Sequence, residues 1–219
     1  MKLIHILTIN SLLLFILSSC KKNEIEEITS HVFAGVYNDS MFYQEFNPPR
    51  QITLFTDTVK NIKHGIDSID INSDGMFDVY FSQRIFLNWS DDFNKAYLKE
   101  YNYPFTRLIL KNGFEVATKR HKVPMPHDNP HFETWVDTLS FNYPINNKMN
   151  WLGSSSYFNM WCVIPSIYQG TYGTWFYIKD EERFVGIRMK MQSDYKYGWI
   201  KINQRLQDNL EILSYSIEN

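Results

Sequence analysis

The chain reads as an all-β protein, an antiparallel β-sandwich or jelly roll, and three observations predict it. Short runs rich in β-branched and aromatic residues recur between turn signals from Val32 to the C-terminus. In the stretch Phe184 to Met191, Val185, Ile187, Met189 and Met191 point one way while Arg188 and Lys190 point the other, the mark of a strand with one wet face. Aromatic residues make up 16% of the chain, enough to fill a β-rich core and leave rings over for a surface.

The elements follow in order. Gln51–Thr56, Phe77–Ser82 and Phe105–Leu110 are strand-like, and Asn112-Gly113 is a hairpin dipeptide. Glu133–Leu139 and Gly173–Ile178 continue the series. Gln192 to Tyr195 turns the chain into Lys196–Ile202, and Leu210–Ile217 supplies a closing strand. Asp91 to Glu100 is the one helix-like stretch. No repeat or composition break divides residues 32–219, which read as one sandwich domain. The net charge of −2 gives no basic footprint, which argues against a nucleic-acid partner.

The first 19 residues read as an export signal: a basic start at Lys2, an apolar stretch from Ile6, and small residues before a cut site. The apolar stretch falls short of the roughly 20 residues that span a bilayer. Leu17-Ser18-Ser19-Cys20 resembles the lipobox of bacterial lipoproteins. The resemblance implies that Cys20 carries a diacylglyceryl group and becomes the mature N-terminus, anchoring the chain to membrane lipid. An ordinary signal peptide with an incidental Cys is the competing reading. Residues 20–31 are charged and lack a core-forming pattern, as a tether does. Glu24, Glu26 and Glu27 loosely resemble the export signal of surface-displayed lipoproteins of the Bacteroidota, with Lys21 and Lys22 intervening. The expected place is the bacterial envelope, on the outer membrane, with its face left open.

Near the other end, Phe184-Val185-Gly186-Ile187-Arg188, Tyr197-Gly198-Trp199-Ile200-Lys201 and the strand ending at Ile217 are similar to the ending of secreted bacterial β-domains. That likeness implies a sandwich and no defined activity. Gly198, beside Trp199, suits a close backbone approach or a bulge.

The sharpest internal motif is Asp70-Ile71-Asn72-Ser73-Asp74-Gly75-Met76-Phe77-Asp78. Side-chain oxygens at Asp70, Asn72, Asp74 and Asp78, a bend at Gly75 and the carbonyl of Met76 have the spacing that wraps a loop around Ca²⁺. Phe81 stands where an EF-hand needs its Glu, so a complete EF-hand is excluded. The loop resembles the strand-flanked calcium sites of dockerin-like, thrombospondin-repeat and integrin-propeller proteins. An Asx-rich hairpin turn with no metal is the alternative.

His121, His127, Asp128, His131 and Glu133 gather within a short stretch, but Pro124, Pro126 and Pro130 forbid a helix that would align imidazoles for Zn²⁺. A Pro-rich loop with incidental His is the expectation. With Cys20 acylated, Cys162 has no disulfide partner, and its apolar neighbours suit a small buried residue. Gly153-Ser154-Ser155-Ser156 is not a nucleophile elbow. Asp91, Asp92, Glu133, Asp137 and Glu182 offer carboxylates for a glycosidase pair, with nothing in the order of residues to match any two. Tyr157, Trp161, Tyr168, Tyr172 and Trp175, with Tyr177, form an aromatic sector suited to stacking on sugars or to filling the core. These readings point to a non-catalytic, lipid-anchored envelope domain with a structural calcium loop and a glycan or surface-protein partner. A calcium-dependent hydrolase of envelope polysaccharide is the second reading.

Overall fold

The computed structural model describes residues 32–89, 101–111, 113–123, 131–153, 157–164, 170–172, 175, 181–206 and 209–219, part of them by their backbone alone. It is all-β, as the alternation predicts. In chain order the strands are β1 (Val32–Phe33), β2 (Met41–Gln51), β3 (Phe55–Asp57), β4 (Ile62–Ile69) and β5 (Val79–Trp89). Then come β6 (Tyr101–Leu110), β7 (Phe114–Val123), β8 (His131–Val136), β9 (Pro144–Ile145) and β10 (Asn150–Gly153). The series ends with β11 (Tyr157–Ile164), β12 (Gly170–Tyr172), β13 (Glu182–Lys190), β14 (Tyr195–Leu206) and β15 (Asn209–Glu218).

One long sheet runs β2-β15-β14-β13-β7-β8-β11-β6-β5-β4-β3, with β10 beside β7 and β12 beside β11, while β1 pairs β9 separately. Pairing is antiparallel except where β8 meets β11. The long sheet bends back on itself, so that Val185, Ile187, Ile200, Ile202, Ile212 and Ile217 from one half pack with Ile69, Val79, Phe81, Leu108 and Leu110 from the other. Its two ends meet: Arg50 at the end of β2 pairs with Asp67 on β4. A Cβ on Gly65 would lie 2.3 Å from the Thr53 carbonyl oxygen, so only glycine admits this closure.

Several details depart from the sequence reading. Gln51–Thr56 is no single strand: β2 stops at Gln51 and β3 begins at Phe55, with the connection turned to meet β4. Gly113, at φ +77°, makes a turn, but β6 and β7 do not pair. Lys111 N–H instead donates to the Asp78 carbonyl and Lys190 N–H to the Gly113 carbonyl, so the turn is a corner joining the two halves. His121 and His131 lie in β7 and β8, where Val123 opposes His131 and His121 opposes Glu133. The prolines therefore occupy the connection, residues 124–130, which lies outside the described residues, as does the helix-like stretch 91–100. Of the expected strand 173–178 only Trp175 is described, in a turn after β12.

The wet face is the most instructive departure. Val185, Ile187 and Met189 do face the core. The opposite side of the same strands carries a second cluster, in which Phe184, Tyr197 and Trp199 pack with Val32, Ala34, Met41, Leu139 and Ile145. Arg188 on that side is held by Glu115, with its guanidinium 3.8 Å from the Tyr195 ring centre and 4.7 Å from that of Trp151. Gly198 has the expected close approach, since a Cβ there would sit 2.2 Å from the Ser216 carbonyl oxygen.

Candidate functional site

Strand register assembles a groove on this outer face. Across β2, β15 and β14, Tyr43 opposes Ser216, which opposes Trp199. In the next row Glu45 opposes Ser214, Ser214 opposes Lys201, and Lys201 opposes Phe184 on β13. Ser214 and Ser216 are small and buried, so the middle strand forms a trough between two aromatic and charged walls. Ser216 Oγ spends its proton on the Phe42 carbonyl at 2.8 Å.

A bulge closes one end. Between the pairs Glu45–Ser214 and Arg50–Ile212 the register slips, and residues 46–49 of β2 stand opposite Leu213 alone. Pro48, in cis after Asn47, and Pro49 lack the N–H that a paired strand needs, and β2 is the terminal strand, where proline is tolerated. Bulges of this kind re-aim side chains beside binding sites. Phe46, Asn47, Pro49 and Leu213 all line the groove, whose volume is about 500 Å³.

The rim comes from the segments that cover the outer cluster. Trp199 Nε1–H donates to the Val36 carbonyl at 3.0 Å and pins the chain after β1 over the sheet. Gly35, at φ +78°, lets that chain lie within 2.6 Å of Phe184 measured from a notional Cβ, so any side chain there collides. Tyr37 then stacks on Tyr43, ring centres 4.0 Å apart and planes at 6°. Tyr37 remains 53% exposed and Phe141 67% exposed, so both present open aromatic surface at the groove. Behind them Phe184 meets Trp199 edge to face at 5.4 Å. Lys201 Nζ sits 2.6 Å from Glu182 Oε2. The Glu45 carboxylate is exposed and has no partner among the described residues.

The residues singled out from the sequence fall elsewhere. Trp175 is 1% exposed and belongs to the main core cluster, so its ring is not offered to a ligand. The side chains of Tyr157, Trp161, Cys162, Tyr168, Tyr172 and Tyr177 lie outside the described residues, as do Cys20, Asp91 and Asp92. Glu182 reaches the groove, whereas Asp137 sits at the end of β8, where burial raises its pKa above the carboxylate norm.

The Asp70–Asp78 loop joins β4 to β5. Asp70 accepts the N–H groups of Asp74 at 3.2 Å and Gly75 at 2.8 Å, and Asp74 accepts that of Met76 at 2.8 Å. Asn72 Oδ1 accepts Asp74 N–H at 3.1 Å. Asp78 is fully buried and accepts Ile71 N–H at 2.9 Å. Ser73 and Gly75 take positive φ, at 59° and 87°. Asx turns thus hold the loop, and among the described residues no three His, Cys, Asp or Glu side chains converge as a metal group. Beneath it the Tyr215 hydroxyl donates to the Asp70 carbonyl at 3.1 Å. Burial, then the charges of Asp70 and Asp78, push the Tyr215 pKa up to about 12.

Sequence reasoning missed Tyr37, Tyr43, Glu45, Asn47 and Phe141. One signal was available: Pro48-Pro49 inside an otherwise strand-like run marks a bulge. Comparison with known proteins assigns no relative, since no family model, curated protein or solved structure matches the chain.

Proposed function

We propose that this chain is a lipid-anchored protein of the bacterial outer membrane that binds a glycan, without catalysis, in the groove between β2 and β13. One observation carries the reading: Tyr37, backed by Tyr43, is an exposed aromatic plate beside a polar trough. A pyranose ring stacks its C–H face on such a plate while its hydroxyls meet groups such as Glu45 and Asn47 at the edge. Binding is favoured over the alternative, a calcium-dependent polysaccharide hydrolase, by carboxylate placement. Glu45 on β2 and Glu182 on β13 lie three strand spacings apart in the sheet order. That is about 14 Å between backbones, and a glycosidase pair would need both side chains to reach inward until their carboxyl groups stand roughly 5 to 9.5 Å apart. Glu182 is also tied to Lys201.

A glycan array probed with the protein lacking residues 1–20 tests the reading. Tyr37→Ala is expected to weaken any hit by about tenfold or more, since stacking on an aromatic anchor carries much of such binding. Hits that survive the substitution unchanged would move the ligand off this groove.

The anchor rests on Leu17 to Cys20, and what supports it is the position of Cys20 at the end of an export signal. Radiolabelled fatty acid should mark the wild-type protein and not Cys20→Ala; label kept by the mutant removes the anchor. A calcium ion at Asp70–Asp78 belongs to the same proposal. Its support is a set of hard oxygen donors whose carboxylates keep lone pairs beyond those the backbone uses. Bound there, the ion would supply charge neutralisation to the loop and no chemistry.

A further inference from the structure

The groove is lined by three charged side chains, Glu45, Glu182 and Lys201. Lys201 and Glu182 neutralise one another at 2.6 Å. That leaves the Glu45 carboxylate as the uncompensated charge of the groove, two residues along β2 from Tyr43 and next to the Tyr37–Tyr43 stack. Aromatic faces present negative potential, and here the rings of Tyr37, Tyr43 and Trp199 add theirs to that of the carboxylate. A groove so charged repels uronate or phosphate-bearing sugars. It draws a cation that brings an apolar ring face with it.

We infer that the groove selects a saccharide bearing a free amine, with Glu45 as the residue that sets this preference. The inference rests on the glycan reading above and names the ligand class for the same groove. An ammonium on the sugar forms a charge-assisted hydrogen bond to the carboxylate and gains from the neighbouring aromatic faces. N-acetylation removes the charge and leaves the ring and hydroxyls, so a neutral sugar retains stacking and ordinary hydrogen bonds without the charge-assisted one. A lysine-rich peptide brings the charge without the rigid ring.

The test uses the full-length protein in detergent and oligomers of glucosamine and of N-acetylglucosamine of equal length, titrated calorimetrically below the amine pKa. The wild type is expected to bind the glucosamine oligomer roughly tenfold more tightly. Added salt should narrow that ratio. Glu45→Gln, an isosteric change at an exposed position, removes the charge and is expected to bring the two affinities together. Equal affinities in the wild type, or a ratio that survives in Glu45→Gln, would overturn amine selection and leave the stacking site intact. Absence of binding by both oligomers would bring down the stacking site itself, and with it the inference. A lysine-rich peptide that competes as well as the glucosamine oligomer would reassign the groove to protein and overturn the saccharide class.

Discussion

The two faces of β13, β14 and β15 are made by alternate residues of the same strands, yet they bury themselves in different ways. The inner face is aliphatic: Val185, Ile187, Ile200, Ile202, Ile212 and Ile217 meet the other half of the bent sheet. The outer face is aromatic and polar: Phe184, Tyr197 and Trp199 pack with two short covering segments, and Lys201, Ser214 and Ser216 stand beside them on the same face. The inner face packs against the other half of the sheet, where these aliphatic side chains are buried. The cover from β1, β9 and their flanking turns is narrower than the sheet beneath it, and the groove is the part it does not reach. Function is therefore sought on the face where burial is incomplete, and stability on the other.

Neighbouring residues of β14 give the sharpest way to break this division. Ile200 is fully buried in the inner core, whereas Lys201 points to the groove and makes a part-exposed ion pair. Ile200→Ala is expected to cost about 2 to 5 kcal/mol in urea unfolding, the price of a cavity in a packed core. Lys201→Ala should cost under about 1 kcal/mol, because surface ion pairs add little. Comparable losses at the two positions would show that the outer face carries as much of the stability as the inner one.

The loop over the inner core sharpens the comparison further. Ile69 and Ile71 descend from it into the aliphatic cluster, and Tyr215 rises from that cluster to the Asp70 carbonyl. With an affinity near 0.1 mM and calcium near 1 mM, binding would stabilise the fold by about 1.4 kcal/mol. Thermal midpoints with calcium and with chelator read this out; identical midpoints leave Asx turns as the whole account of the loop. Burial raises the Tyr215 pKa first and the charges of Asp70 and Asp78 add to it, so calcium should offset only that second part and lower the titration somewhat from about 12. Because the Tyr215 pKa is raised, its stabilising contribution is complete below the unfolded tyrosine pKa and fades as pH rises through the folded value.

The inner face was legible because its signal is local. Alternation in Val185, Ile187 and Met189 states which side is apolar, and β-branched residues state the element. The bulky neighbour Gly198–Ser216 contact was legible too, as a glycine beside a tryptophan. The outer face was not, for two reasons. Phe184, Tyr197 and Trp199 alternate with the aliphatics, so both faces look apolar there and the polar pair Arg188 and Lys190 misdirects. The groove also depends on long-range register: Tyr43 and Trp199 are brought together only through Ser216, and Glu45 and Lys201 only through Ser214. A sequence states which residues alternate, but not which strand lies beside which. The richest aromatic run, ending at Trp175, drew attention to a ring that the core had claimed.

The smallest expected effect comes from an ionisable group on the outer-facing side of β7. His121 follows Glu115, Ala117 and Lys119 in alternation, opposite Glu133 on β8. Burial, then the nearby charge of Lys119, holds its pKa below 6.5, while Asp137 acts the other way. The folded state thus resists a proton that the unfolded chain accepts. Its contribution is complete above the unfolded histidine pKa and is lost as pH falls through the depressed folded value. Asp137 carries a raised pKa, so its own cost grows as pH rises above the ordinary carboxylate value of 3.8, in a more acid window. Measurements between pH 7.5 and 6 therefore favour the imidazole. Unfolding midpoints of the wild type should fall across that interval by slightly more than those of His121→Gln, which keeps a polar side chain without the titration. NMR of the assigned His121 ring supplies the direct check, with a midpoint below that of an exposed histidine. A midpoint above 6.5 would mean that Asp137 outweighs burial and Lys119, and the acid sensitivity of this face would then have the opposite sign.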